Sequence, residues 1–174
     1  FDLFSGGYIG VDVFFVISGY LITNLILKEL NNNTFSLLDF YERRARRILP
    51  ALYLIIFVIT ILSYFFLTRS EISEYFKSVI STVLFSSNIY FWKSSPYFDA
   101  NSDLQPLLHT WSLSIEEQFY IFFPILLILV FKYFKKYTLI FFSICFLLSL
   151  FLCQFLALKT GNNLNFYFTL SRAW

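Results

Sequence analysis

Four stretches of this chain are apolar enough to enter a bilayer, and this limits its fold more than any other feature. A spanning α-helix needs about 20 mostly apolar residues. Such windows occur at residues 8–27, 49–67, 117–131 with its polar approach, and 138–158. Charged residues make up 14% of the sequence, against about 25% in soluble globular proteins, and the mean hydropathy is +0.69. The sequence therefore predicts an all-α fold, a polytopic helical membrane bundle with about four spanning helices.

A fifth segment, residues 78–92, is shorter and contains several Ser and Asn residues. It is either a short span or a re-entrant segment buried within the bundle, where non-helical backbone is tolerated at membrane depth. The arginines between the first two spans place that connection in the cytoplasm. The re-entrant alternative also places Lys132, Lys135 and Lys136 in the cytoplasm, whereas a span places them outside. The positive-inside bias therefore favours the re-entrant segment.

Asp12 introduces a carboxylate into the first span. Ionisable residues within membrane helices are costly and usually face the interior of a bundle. At helical spacing Asp12, Gly19 and Thr23 share one face, with Val16 between them. Two interpretations remain open for Asp12: a direct chemical role, or a structural role as a partner for backbone, hydroxyl groups or an arginine.

Residues 40–50 form an Arg-rich segment, Phe-Tyr-Glu-Arg-Arg-Ala-Arg-Arg-Ile-Leu-Pro. We expect a loop here, with Pro50 in the first turn of the second span, where its missing N–H does no harm. Guanidinium groups bind phosphates through bidentate hydrogen bonds. The alternative is a topology signal that also contacts anionic lipid. The four candidate residues are Arg43, Arg44, Arg46 and Arg47.

A second polar motif, Pro-Leu-Leu-His-Thr-Trp-Ser-Leu-Ser-Ile-Glu-Glu-Gln-Phe-Tyr, contains the single histidine, His109. Histidine suits proton transfer near neutral pH, although His109 is equally compatible with an interfacial histidine satisfied by backbone. Ser114 and Glu117 match a capping box at a helix start. Glu116 is not explained by that cap. One turn of helix aligns it with Tyr120, and an early helix start aligns it with His109.

The chain contains no methionine, position 1 included, and ends at Ser-Arg-Ala-Trp. We expect an internal piece of a longer membrane protein. The spacing of Cys145 and Cys153 suits neither zinc nor a disulfide, and the sequence offers no ligand cluster for a metal.

Three motifs in order resemble the acyltransferase-3 family of bacterial membrane O-acyltransferases, and most closely its O-antigen and lipopolysaccharide O-acetylase branch. They are residues 6–21, Phe40–Ala51 and Pro106–Tyr120. Ser171–Trp174 is similar to the start of a later Arg-Ala-Trp-Glu segment of the family. The resemblance implies that residues 1–174 are a partial transmembrane domain that lacks the first helix and the C-terminal helices.

The resemblance also implies an activity, in the bacterial inner membrane. The family moves an acyl group, usually acetyl, from cytoplasmic acyl-CoA to a sugar hydroxyl of a cell-envelope polysaccharide or lipopolysaccharide. Acyl-CoA is a donor substrate, and no bound cofactor is implied. Donor handling is expected at Arg44 and Arg47, or at Arg43 and Arg46. Asp12, Glu116 and His109 are expected to support catalysis.

One departure from the family pattern matters. The family's catalytic histidine lies in a helix upstream of Phe1, and His109 belongs to a different motif. We therefore expect the chain by itself to be inactive. Two other functions remain open: a multi-span transporter or proton-coupled carrier, since intramembrane acids and prolines are common in both, and an inactive relative of the transferase.

Overall fold

The computed structural model describes residues 9–94, 105–160 and 167–169, and its helices follow the apolar windows. The chain divides into two compact units, one formed by Phe1–Thr34 with Ile115–Trp174 and the other by Phe35–Ser114. The helical membrane architecture agrees with the predicted all-α fold. The Ser171–Trp174 motif lies outside the described residues. The helices are α1 Ile9–Asn31, α2 Leu37–Phe66, α3 Arg69–Val83, α4 Ser87–Ser94, α5 Thr110–Phe134 and α6 Thr138–Thr160.

Within the described residues three helical stretches are long and apolar enough to cross a membrane: Gly10–Asn31, Leu37–Phe66 and Thr110–Leu158. The third is folded in two at the 3₁₀ turn Lys135–Tyr137. The rings of Phe123 and Phe142 have centroids 5.7 Å apart, whereas 19 residues of straight helix rise about 28 Å. α5 and α6 therefore form an antiparallel pair, and each has the length of a span.

α1 ends in a left-handed turn at Asn33, whose φ is 56°. The Asn33 N–H donates to the Leu30 carbonyl, and the Thr34 N–H donates to the Glu29 carbonyl at 3.0 Å. This is a Schellman motif, in which Asn is the usual alternative to Gly. The turn explains why α1 stops here and a new helix begins a few residues later.

The start of α2 corrects the predicted loop. Ser36 caps the helix by accepting the Asp39 N–H at 3.3 Å, and α2 continues without a break to Phe66. The Arg-rich segment is therefore helical, and Pro50 lies well inside α2 rather than in its first turn. The prediction was wrong because Glu, Arg, Ala and Leu are strong helix formers. Pro50 removes the hydrogen bond to the Arg46 carbonyl without ending the helix.

Residues 78–92 form most of a helical hairpin rather than one continuous helix. α3 ends at Val83. The chain then turns at Phe85, whose φ is 50°, and the Ser86 N–H donates to the Ser81 carbonyl at 2.8 Å. The Tyr90 hydroxyl donates to the Glu74 carbonyl at 3.1 Å, so α4 runs back along α3. This geometry favours the re-entrant alternative, which stays a prediction.

A cluster of buried hydroxyl groups holds the start of α4 against the start of α5. Ser114 Oγ accepts the Ser87 N–H at 3.2 Å and lies 2.7 Å from Ser87 Oγ. Thr110 Oγ1 lies 3.0 Å from Thr82 Oγ1 and 3.1 Å from Ser87 Oγ. The predicted Ser114–Glu117 capping box is wrong, because α5 begins at Thr110 and Ser114 is used to satisfy an otherwise unpaired N–H at the start of α4.

The packing of α3 on α2 has a polar component as well. Tyr75 is buried, with 4% of its surface exposed, and its hydroxyl lies 2.8 Å from Thr60 Oγ1. The N-terminus of α3 is held by Glu71, whose Oε2 accepts both the N–H and the hydroxyl of Thr68 at 2.7 Å. These contacts fix the hairpin to the end of α2.

We expect Ser114→Ala to lower the free energy of unfolding by about 1–3 kcal/mol, the cost of leaving a buried donor unsatisfied. Thermal unfolding of the full-length protein in detergent measures it. Ser112→Ala is the control, since the Ser112 hydroxyl donates within its own turn to the His109 carbonyl at 3.1 Å. Equal stability of the two variants would contradict the capping role of Ser114.

Cysteine labelling in intact cells tests the topology of the hairpin. With Cys145 and Cys153 replaced by Ser, we expect Ser94→Cys to react with an impermeant maleimide, as Arg69→Cys does. Lys136→Cys should react only after permeabilisation, like an Asn32→Cys control. If residues 78–92 span the membrane, the Ser94 and Lys136 results exchange.

Candidate functional site

The unit that contains α1, α5 and α6 has an open groove of about 1880 Å³, lined mostly by apolar side chains. The predicted polar face of α1 lines it: Asp12, Val16, Gly19 and Thr23 all contribute. This confirms the shared face. Asp12 is half-buried, as expected for a carboxylate that faces the interior of a unit rather than lipid.

Gly19 leaves space in the groove rather than permitting a close helix contact. A Cβ at this position would meet no other heavy atom within 4 Å in the described part of the chain. The Thr23 hydroxyl donates to the Gly19 carbonyl at 2.7 Å, so it satisfies itself within α1. Asp12 is the carboxylate that α1 contributes to the groove within the described residues.

α5 contributes a second carboxylate. Glu116 lines the groove and accepts a hydrogen bond from the hydroxyl of Tyr120 one turn later, which confirms their predicted alignment. Tyr120 is 1% exposed. Its buried hydroxyl therefore fixes the position of the Glu116 carboxylate. On the same helix, the Gln118 amide oxygen accepts the Thr169 hydroxyl. The groove thus contains polar groups that other side chains orient.

Glu117 was missed as a candidate. It is 8% exposed, although a carboxylate is seldom buried to this extent. The capping-box pattern gives Glu117 an ordinary structural role, so the sequence analysis names only its neighbour Glu116 as a candidate. The signal was the Glu-Glu pair itself.

The four arginines lie in the other unit, on the first turns of α2. At 100° per residue they occupy about 160° of the helix surface. Arg46 pairs with Glu42 at 2.6 Å, with both side chains largely exposed, and such pairs contribute little to stability. Arg44 lies over the Phe40 ring at 5.9 Å. Arg47 is exposed, and the structure gives it no ion pair or hydrogen bond within the described residues.

His109 is exposed in the turn that precedes α5, in the same unit as the arginines. Asp12 and Glu116 belong to the other unit. The structure therefore brings two of the three predicted catalytic residues into one groove and gives His109 a separate, surface position. Among the described residues no group of three His, Cys, Asp or Glu side chains is placed to hold a metal ion.

Comparison with known proteins identifies relatives along most of the chain. An uncharacterized protein of Haemophilus influenzae is 35% identical over 90% of this chain. Peptidoglycan O-acetyltransferase OatA of Listeria monocytogenes is 42% identical over 78%, and a Staphylococcus aureus protein provisionally named an O-acetyltransferase is 40% identical over 94%. The chain spans 62%, 22% and 28% of their respective lengths. No solved structure matches.

A family model described as an acyltransferase domain matches residues 1–172, nearly the whole chain. Together with the apolar helices, this match shows that the chain belongs to the acyltransferase-3 family of membrane proteins.

Proposed function

We propose that the protein containing this chain is a membrane O-acyltransferase. It moves an acyl group, acetyl in the simplest case, from cytoplasmic acyl-CoA to a sugar hydroxyl of a cell-envelope polysaccharide or lipopolysaccharide. The acyltransferase family match supports the reaction class. The observation that supports the donor is the arginine face at the start of α2, which places four guanidinium groups beside the apolar part of a spanning helix.

The arginine face suits a nucleotide-like thioester. Coenzyme A carries several phosphate groups, and Arg binds phosphate with two parallel hydrogen bonds. Arg47 is exposed and directly precedes the apolar run that begins at Ile48. In this proposal Arg47 and Arg44 bind the donor phosphates at the cytoplasmic face, and Arg43 and Arg46 add to the positive potential.

In this proposal the groove supplies polar groups for the transfer step. A general base removes the proton of the acceptor hydroxyl, whose oxygen attacks the thioester carbonyl. The C–S bond breaks as the ester forms, and the coenzyme A thiolate leaves and takes the proton from the base as a thiol. The resemblance assigns that base to a histidine upstream of this chain. In this proposal Asp12 and Glu116, from the groove, orient that histidine and the reacting groups. His109 supports catalysis from the outer surface.

The acceptor is proposed at the level of a cell-envelope glycan, in the plasma membrane of a bacterium. One relative is named a peptidoglycan O-acetyltransferase, and the sequence motifs resemble the lipopolysaccharide branch. Transfer of radiolabelled acetyl from acetyl-CoA by the full-length protein in vesicles, with peptidoglycan fragments or lipopolysaccharide as acceptor, tests both. Substrate accumulation in the vesicles without consumption of acetyl-CoA would instead indicate a transporter.

We expect Arg47→Ala to raise KM for acetyl-CoA by about tenfold, the effect of losing one charge-assisted hydrogen bond, with a smaller change in kcat. Steady-state kinetics of the reconstituted full-length protein measure this. Arg69→Ala, which removes an exposed arginine at the start of α3, is the matched control. An unchanged KM in Arg47→Ala argues against donor binding by this face.

We expect Glu116→Gln to lower kcat about tenfold or more, within the range of positioned acid–base groups, while KM for acetyl-CoA stays within twofold. Tyr120→Phe should have a smaller effect in the same direction because it removes the donor that orients Glu116. Glu29→Gln, an acid on α1 that does not line the groove within the described residues, serves as the control. A normal kcat in Glu116→Gln would remove Glu116 from the mechanism.

A further inference from the structure

A second, smaller cavity lies in the α3–α4 hairpin, and nothing in the proposed reaction yet uses it. Its volume is about 230 Å³, and all its lining residues belong to the unit formed by residues 35–114. It is lined by carboxylates, hydroxyl groups, an amide and aromatic rings. These lining side chains include Glu71, Glu74, Tyr75, Tyr90, Phe91 and Gln105.

The side of the membrane on which the cavity opens follows from α2. The arginine face lies near one end of α2 and Phe66 lies at the other. From Arg47 to Phe66 the helix rises about 28 Å, close to the thickness of the hydrocarbon core. Basic residues mark the cytoplasmic side. The cavity begins at Leu67, directly after α2, and therefore lies on the outer side.

Its two carboxylates are ionised and oriented. The Glu74 carboxylate accepts the Lys77 ammonium at 2.6 Å on Oε1 and the Tyr90 hydroxyl at 2.9 Å on Oε2. The hydrogen bond from Lys77, followed by that from Tyr90, holds the pKa of Glu74 below its usual value. Glu71 uses Oε2 to cap α3 at Thr68, and the backbone hydrogen bond lowers its pKa too.

The remaining lining groups complement those carboxylates. Tyr90 and Phe91 pack edge to face with centroids 5.3 Å apart, and the Gln105 amide oxygen is buried. Fixed polar acceptors beside aromatic rings suit a ligand that has many hydroxyl donors around a ring with an apolar face. Lys77 balances the charge of Glu74, and the negative charge of Glu71 disfavours an anionic ring.

We propose that this cavity is a subsite for the acceptor glycan and binds one neutral sugar ring on the outer side of the membrane. Naming that sugar as the acceptor rests on the proposed function, while the binding of a neutral glycan does not. Glu71 and Glu74 accept hydrogen bonds from sugar hydroxyl groups, and the ring of Tyr90 packs against the sugar.

Saturation-transfer NMR with the full-length protein in nanodiscs tests binding directly. The probes are the neutral disaccharide N,N′-diacetylchitobiose and the anionic digalacturonate. The variants are Glu74→Gln and Tyr90→Phe, which keep the shape of the cavity, and Asp39→Asn as a matched carboxylate-to-amide control near the opposite end of α2. Glu71 is left intact because it also holds the N-terminus of α3.

We expect chitobiose to bind, digalacturonate to bind more weakly, and Glu74→Gln to raise the Kd for chitobiose about fivefold to tenfold, in line with a hydrogen bond to a charged group. Tyr90→Phe should weaken binding less, and Asp39→Asn should leave it unchanged. Equal affinity in wild type and Glu74→Gln, equal affinity for the two probes, or no binding of chitobiose at millimolar concentration overturns the proposal.

The same samples are assayed for consumption of acetyl-CoA, which separates the two proposals. Glycan binding at this cavity without use of acetyl-CoA overturns the acyltransferase function and leaves the sugar site standing. Use of acetyl-CoA with no effect of Glu74→Gln on chitobiose binding overturns the sugar site alone. In an active protein, Glu74→Gln should raise KM for the acceptor and leave KM for acetyl-CoA unchanged.

Discussion

The hydrogen bond from the Ser87 N–H to Ser114 Oγ is the contact on which the α3–α4 hairpin depends. A helix start leaves backbone N–H groups unpaired, and in the absence of water each such group costs free energy. α4 begins at Ser87, which is fully buried, so solvent does not reach its first N–H groups. A side chain from α5 therefore replaces water. With that partner the chain reverses direction after Phe85, and the reversal creates the small cavity between α3 and α4.

α2 sets the distance between the two ends of the unit to which it belongs. It joins the arginine face to the α3–α4 hairpin in one continuous helix of 30 residues, so the distance between a proposed donor site and a proposed acceptor subsite is fixed by the rise of a helix. A reaction with one substrate on each side of a membrane needs such a separation, together with an apolar path between the two sides. The continuity of α2 through Pro50 is what makes the separation rigid.

The helices and the residues that share a helix face could be predicted from the periodicity of the sequence. The wrong predictions came from short local motifs, because such a motif does not show which other helices pack beside it. The Asp12 face and the Glu116–Tyr120 pair follow from 3.6 residues per turn, because the members of each set lie on one helix.

Ser114-x-x-Glu117 and Thr68-x-x-Glu71 have the same capping pattern, yet of these two only Thr68-x-x-Glu71 caps a helix. Thr68 follows the end of α2, whereas Ser114 is preceded by residues that already form a turn and the first part of α5. The prediction of a loop at the arginines is wrong because Pro50 does not start a helix: it lies inside α2, where it is tolerated. The Ser114–Ser87 contact joins residues 27 apart, which no local pattern predicts.

The mostly apolar lining of the groove strengthens the electrostatic interactions of its carboxylates, Asp12 and Glu116. Coulombic interactions increase as the effective dielectric constant falls, so the same charge acts more strongly beside Val16 and Phe119 than it does in water. The cost is that each acid must be held in place. Tyr120 holds Glu116 from the interior of the unit, and Asp12 lies half-buried near the start of α1, where the positive end of the helix dipole favours an anion. A neutral replacement for either acid therefore tests the electrostatics of the groove with little change in its shape, and this is the reason to prefer Glu116→Gln to a truncation.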